Sequence, residues 1–138
     1  MKKLLLLFFA LVTAIGADAQ NGITNDDRFG VGADTTRCLQ AISISTVNVR
    51  NKDYATAYTH WKIVFTEFPV ARVDTYTNGI KILTELISSE SDPQKKEDYI
   101  QELLSVYDQE IKYIDKLQEI TSTRLSATQE CRLYGQKV

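Results

Sequence analysis

Residues Tyr54 to Pro69 read YATAYTHWKIVFTEFP. Tyr54, Ala57, Trp61, Val64 and Pro69 follow one another at spacings of three, four, three and five. The first four share one face of a helix, and the proline stops it, because it disfavours helical geometry in the residue before it. A small residue one turn from a large aromatic is what one helix needs to dock closely against another. The stretch predicts a scaffold of paired helices rather than an active site.

The rest of the chain supplies its neighbours. A first helix is expected from Asp34 or Thr35, either of which can cap an N-terminus. Leu39, Ile42, Thr46 and Val49 then recur at helical spacing. β-Branched residues are frequent there (Ile42, Ile44, Thr46, Val47, Val49) and weaken intrinsic helix preference, so tertiary contacts must hold this helix. Asn51-Lys52-Asp53 is a polar break before a second helix over about 54–67, with the stripe Tyr54, Ala57, Tyr58, Trp61, Val64 or Phe65, and Phe68.

A third helix over about 73–89 carries Tyr76, Ile80, Leu83 and Ile87 on one face, with Ile82 and Leu86 beside them. So wide an apolar arc is normally covered on two sides. Gly79 sits in its middle, where glycine costs about 1 kcal/mol relative to alanine. Close contact with a neighbouring helix is the simplest compensation. Asp92 can cap, and Pro93 can open, a fourth helix over about 93–118. Its apolar positions are Tyr99 or Ile100, Leu103, Tyr107, Ile111, Ile114 and Leu117. No run alternates like a strand bounded by hairpin turns. The fold class expected is all-α, a helix-pair solenoid segment of about four main helices. The helical domain spans 36–120. Residues 121–138 are weakly patterned, and Leu125, Cys131, Leu133 and Tyr134 point at most to a further short helix.

The N-terminus reads as an export signal. Lys2 and Lys3 precede the apolar run Leu4 to Val12, and Ala17-Asp18-Ala19 follows. That is the charged, apolar and small-residue order of a secretory signal peptide over 1–19. The run is about half the length a membrane-spanning helix needs, so no transmembrane segment is expected after cleavage. Residues 20–35 are rich in Gly, Asn and Asp and read as a flexible leader. The formal charge of the chain is −2, and losing Lys2, Lys3 and Asp18 makes it one unit more negative. With no basic run, nucleic acid is excluded as a partner class.

Export places Cys38 and Cys131 in an oxidising compartment, where cysteines tend to pair. A bridge between them would close a loop of roughly 90 residues and stabilise by about 4 to 5 kcal/mol in the chain-entropy model. Two separate buried thiols, or pairing with another chain, satisfy the same sequence.

Solenoid repeats show themselves as a fixed period. Shifting the first helix onto the third by roughly 34 residues, the tetratricopeptide period, sets Ser45 on Gly79. Tyr54, Ala57, Trp61, Val64 and Pro69 resemble the second helix of a tetratricopeptide repeat, and Ile44 and Ser45 fit its first helix. Ala41 and Asn48 stand where that pattern has tryptophan and tyrosine. The insertion SSESDPQKKE breaks the register after the third helix. The strings KDYATAYTHWKIVFTEFP, YTNGIKILTELI and SDPQKKEDYIQELLSVYDQEIKY are similar to the N-terminal region of secreted tetratricopeptide-repeat proteins of Bacteroidetes. Those relatives often carry a cysteine before the proline; here Phe68 stands there, so the bridge from Cys38 to that loop which the resemblance would imply is not available.

The resemblance implies an exported, periplasmic or extracellular scaffold that binds a protein or peptide, with the first helix of each pair lining a groove. That nominates Thr46, Val49, Arg50 and Tyr76. The alternative is a glycan-associated helical-repeat component of an outer-membrane uptake complex. A small hydrolase with residues assembled from distant positions is a third class. No catalytic, cofactor or metal residues are nominated. His60 is the single histidine and is expected to face solvent. Glu85, Glu90, Asp92, Asp108 and Glu110 read as a solvated face. The segment FGVG at 29–32 is too short for a phosphate loop, and no G-x-S-x-G or H-E-x-x-H occurs.

Overall fold

The computed structural model describes residues 27–122, so the expected export signal, the part of the expected leader before residue 27 and the segment 123–138 lie outside the described residues. Those described residues are all-α, with no strand among them. A 3-10 turn, Asp27–Phe29, leads into α1 (Ala33–Arg50), α2 (Tyr54–Glu67), α3 (Asp74–Ser89) and α4 (Pro93–Lys112). Helices in sequence pack in series: α1 on α2, α2 on α3 and α3 on α4, with a smaller α1–α3 contact. Connections this short between packed neighbours make each pair run antiparallel.

The second, third and fourth helix starts lie within a residue of the sequence reading. Asp53 caps α2, its side chain accepting from the Thr56 amide at 3.1 Å. The break before it is tight enough to hold Lys52 at φ 61°. Asp92 caps α4 by accepting from the Gln94 and Lys95 amides, and Pro93 opens the first turn. The first helix differs. It begins at Ala33 behind Gly32, without a side-chain cap, so neither Asp34 nor Thr35 is the cap. Thr35 instead is buried, and its hydroxyl donates to the Gly30 carbonyl at 2.7 Å. The leader's last residues are therefore part of the folded unit, since Gly30, at φ +81°, lies against Phe68 and Asp34 so closely that a Cβ there would come 2.8 Å from the Phe68 ring.

The inner face of α1 is Cys38, Ala41, Ile42, Ser45 and Val49; Leu39, expected on it, is exposed. Cys38, Ala41 and Ile42 meet Val64, Phe68 and Ala71 in one apolar cluster. The larger cluster joins Val49, Ala57, Trp61, Phe65, Tyr76, Ile82, Leu83, Val106 and Leu117.

Gly79 has the expected neighbour. A Cβ built on it would lie 2.5 to 2.8 Å from Trp61 Cζ2, Cε2 and Nε1. The indole N–H donates to the Thr75 carbonyl at 2.7 Å, one turn earlier on α3. Trp61 also stacks on Phe65 with ring centroids 4.8 Å apart, and Phe65 meets Tyr76 edge to face at 6.2 Å.

The fourth helix is shorter than the 93–118 expected from its pattern. Tyr113 ends α4 with φ −106° and ψ 11°, and residues 114–122 are helical again. Of α4 only Val106 is fully buried; Leu117, beyond the break, returns to the core. The inner face runs through Tyr99, Leu103, Val106, Tyr113 and Leu117, whereas Tyr107, Ile111 and Ile114 are exposed. The stripe read from the sequence had merged two faces.

Two outcomes follow. Gly79→Ala gains about 1 kcal/mol of helix propensity but overpacks against the indole by about 1 to 3 kcal/mol, for a net destabilisation expected in urea unfolding. A stabilised variant would show that α2 can move away. Second, the Asp53 carboxyl is held below its ordinary range by the hydrogen bonds from Thr56. A depressed folded-state pKa gives stability that is present above the unfolded value of about 3.9 and lost as pH falls through the lower folded one. Asp53→Asn should therefore flatten the acid limb of the stability profile, measured by circular dichroism between about pH 2 and 5.

Candidate interaction surface

The residues nominated for a groove do not share one open surface. Val49 and Tyr76 are buried in the main core, Thr46 is half-buried, and Arg50 is exposed. Tyr76 is held from both ends of its side chain. Its ring packs on Phe65, and its hydroxyl donates to the Pro69 carbonyl at 2.7 Å while accepting from Gln109 Nε2 at 3.4 Å. Burial raises its pKa above the ordinary tyrosine value. Tyr76 is thus a packing residue, and of the four only Arg50 and part of Thr46 are available to a ligand. The sequence signal for this was the four-residue spacing to Ile80, which placed Tyr76 on the apolar arc of α3.

His60 is half-buried rather than fully solvent-facing. Among the described residues no three His, Cys, Asp or Glu side chains gather at metal-binding distance. No described helix is long and apolar enough to cross a membrane.

Cys38 has no exposed surface and no disulfide partner among the described residues, and burial raises the pKa of its thiol to about 11. Cys131, one of the partners the sequence allows it, lies outside the described residues.

A polar cluster ties α2 to α4. Tyr58 donates to Glu102, Lys62 pairs with the same carboxylate at 2.6 Å, and Lys62 also donates to the Tyr58 hydroxyl at 3.2 Å. Burial first, and then the bond to Glu102, raise the Tyr58 pKa; the bond to Glu102 raises that of Lys62. Tyr99 closes the cluster edge-on to Tyr58 at 5.6 Å. Every polar member is satisfied by another, and their geometry is that of a clasp between helices.

The surface feature that stands out is apolar. On α4 and its continuation, Leu104, Tyr107, Ile111 and Ile114 are 52%, 43%, 67% and 44% exposed. Their spacing of three, four and three forms one stripe, prolonged by half-buried Ile100. The sequence named three of these residues but placed them inside; Leu104 was missed because it adjoins Leu103, which took the core position. At its C-terminal end the stripe opens on a cleft of about 350 Å³ lined by Glu110, Ile114, Leu117, Gln118 and Thr121 with Val73. A second cavity, of about 220 Å³, borders the α2–α3 connection between Arg28, Phe29, Leu39, Arg72 and Ile120. Arg72 there is paired with Asp74 at 2.7 Å.

Comparison with protein-family models, with curated proteins and with solved structures found no match.

Thiolate, not thiol, reacts with disulfide reagents, so Cys38 should be silent in the folded protein. In a Cys131→Ser background at about pH 8, aromatic disulfide reagent should label Cys38 only after denaturant is added. Rapid labelling of the native protein would mean that the α1–α2 seam opens readily.

Proposed function

We propose that the protein is an exported helix-pair scaffold of the bacterial cell envelope, tetratricopeptide-like in design, that binds a protein segment and performs no catalysis. One observation carries the reading. The large apolar side chains left exposed among the described residues lie before or on α1 and on α4 and its continuation, and none lies on α2 or α3. The inner helices of the series are covered on two sides, and the outer two are covered on one. A stack of helix pairs whose terminal helices stay apolar can be lengthened, and in repeat architectures recognition uses the surfaces that such stacking leaves open. Amphipathic helices in apolar grooves are one of the recurring modes. Support for export comes from the order of Lys2-Lys3, the apolar run and Ala17-Asp18-Ala19.

The test is made in cells. The chain is expressed in a diderm bacterium with a photo-crosslinking residue at Val47 or Arg50, both exposed on α1, or at Ile111, exposed on α4, and with Thr59 on α2 as a control site. The expected result is a product in the envelope or medium whose mass fits cleavage before Gln20. Discrete protein adducts should form from at least one of Val47, Arg50 and Ile111 and not from Thr59. Retention in the cytoplasm at full mass would remove the export half of the reading, and no adduct beyond the control would remove the scaffold half.

A further inference from the structure

The outer stripe of α4 has a charge pattern that selects its occupant. In heptad terms Leu104 and Ile111 are equivalent, as are Ile100, Tyr107 and Ile114. The solvent-side flank is then Gln101, Asp108 and Asp115. On the core side Leu103 and Leu117 turn inward, and Glu110 stands at the edge between them. Every charged residue bordering the stripe between Ile100 and Ile114 is thus an acid. Lys112 and Lys116 occupy positions that point away from it.

Flanking charges of this kind set the choice of partner helix. A second copy of the chain is disfavoured. Laid antiparallel, with Leu104 on the copy's Ile114, it brings Asp108 against Asp108 and Glu110 against Glu110. Laid parallel, it brings Glu110 against Asp115. A helix with apolar residues at the same three- and four-residue spacing and lysine or arginine at its flanks meets opposite charge in either direction. The cleft beyond Ile114, bordered by Glu110 and Gln118, continues the same combination of apolar floor and acidic or polar rim.

We propose that α4 and its continuation form a docking surface for a basic amphipathic helix of another protein, seated on Leu104, Tyr107, Ile111 and Ile114 and oriented by Asp108, Glu110 and Asp115. This rests on the scaffold reading and names its partner class.

Synthetic three-heptad peptides provide the probe: isoleucine and leucine at the seam, with lysine at the flanks in one peptide and glutamate in the other. Binding to the purified protein is followed by fluorescence anisotropy at low and at physiological salt. The lysine peptide is expected to bind at least ~10-fold more tightly than the glutamate peptide, with the difference shrinking as salt rises. Ile111→Asp, on an exposed position, should weaken the lysine peptide at least ~10-fold while circular dichroism stays unchanged, and Asp108→Lys with Asp115→Lys should reverse the preference. Equal binding of the two peptides, or binding indifferent to Ile111→Asp, overturns the proposal. So does a dimer in sedimentation analysis that Ile111→Asp dissociates, which would assign the stripe to a second copy. A tenfold gain in lysine-peptide affinity on deleting 123–138 also overturns it, because the chain's own segment would then be the occupant. Adducts at Val47 or Arg50 in cells together with indifference to the peptides would sink this inference alone and leave the scaffold reading standing.

Discussion

The contact of Trp61 with Gly79 is the constraint on which the rest of the packing depends. An indole is too large to lie flat against a helix that carries a Cβ at the point of contact. With glycine there, the ring fills the notch, and its N–H reaches the Thr75 carbonyl one turn back. That bond matters because a buried donor without a partner costs about 1 to 3 kcal/mol. The two conditions together tie α2 to α3 both in separation and along the axis. A side chain at 79 would push the ring out, and a shift along the axis would leave the N–H without its acceptor. Phe65 stacks on the indole one turn further along, and Tyr76 lies edge-on to Phe65. The aromatic file thus follows from where Trp61 is seated.

Once α3 is placed on α2, the rest of its wide apolar arc, in which Ile82 and Leu83 are fully buried, can take α4. Polar bonds then select the register of α4 against α2. Gln109 donates to the Phe65 carbonyl at 2.7 Å, satisfying one of the last acceptors of α2 that the helix itself cannot use. At the other end Glu102 is held by Tyr58 and Lys62. These two clasps, about two turns apart on α4, resist both sliding and rotation. The forked pair of Arg37 with Glu67 plays a lesser part between α1 and α2. Both of its partners are well exposed, and such pairs contribute about 0 to 1 kcal/mol.

What could be read from the sequence divides along physical lines. Caps and breakers act locally, so Asp53, Asp92 and Pro93 marked the starts of α2 and α4 without any knowledge of neighbours. Gly79 was legible as a close approach because mid-helix glycine needs a compensating reason. The start of α1 was not legible, because it is held by tertiary packing of Gly30 and Thr35 rather than by a cap. The face of α4 was misread for a different reason. The helix carries two apolar stripes, one through Leu103 and Val106 and one through Leu104 and Tyr107, and periodicity alone cannot say which is inside. Two of the four groove residues, Val49 and Tyr76, are buried. Val49 and Tyr76 occupy positions where the helix pair closes on itself, and Arg50 lies one residue past Val49 on the open side.

The difference between α1 and α4 explains why the ends of the series are not equivalent. The inner face of α1 sets three small side chains, Cys38, Ala41 and Ser45, beside Ile42 and Val49, and leaves Leu39, Ile44 and Val47 outside. Those three are separated by serine, threonine and glutamine and do not form a file. On α4 the inner contact uses large residues, and the outer stripe is a second continuous file at heptad spacing with acids beside it. A file can accept a helix along its length, whereas scattered apolar residues offer single contacts. The apolar area of α4 therefore has both the shape and the charge border of an interface, and α1 has only the exposure.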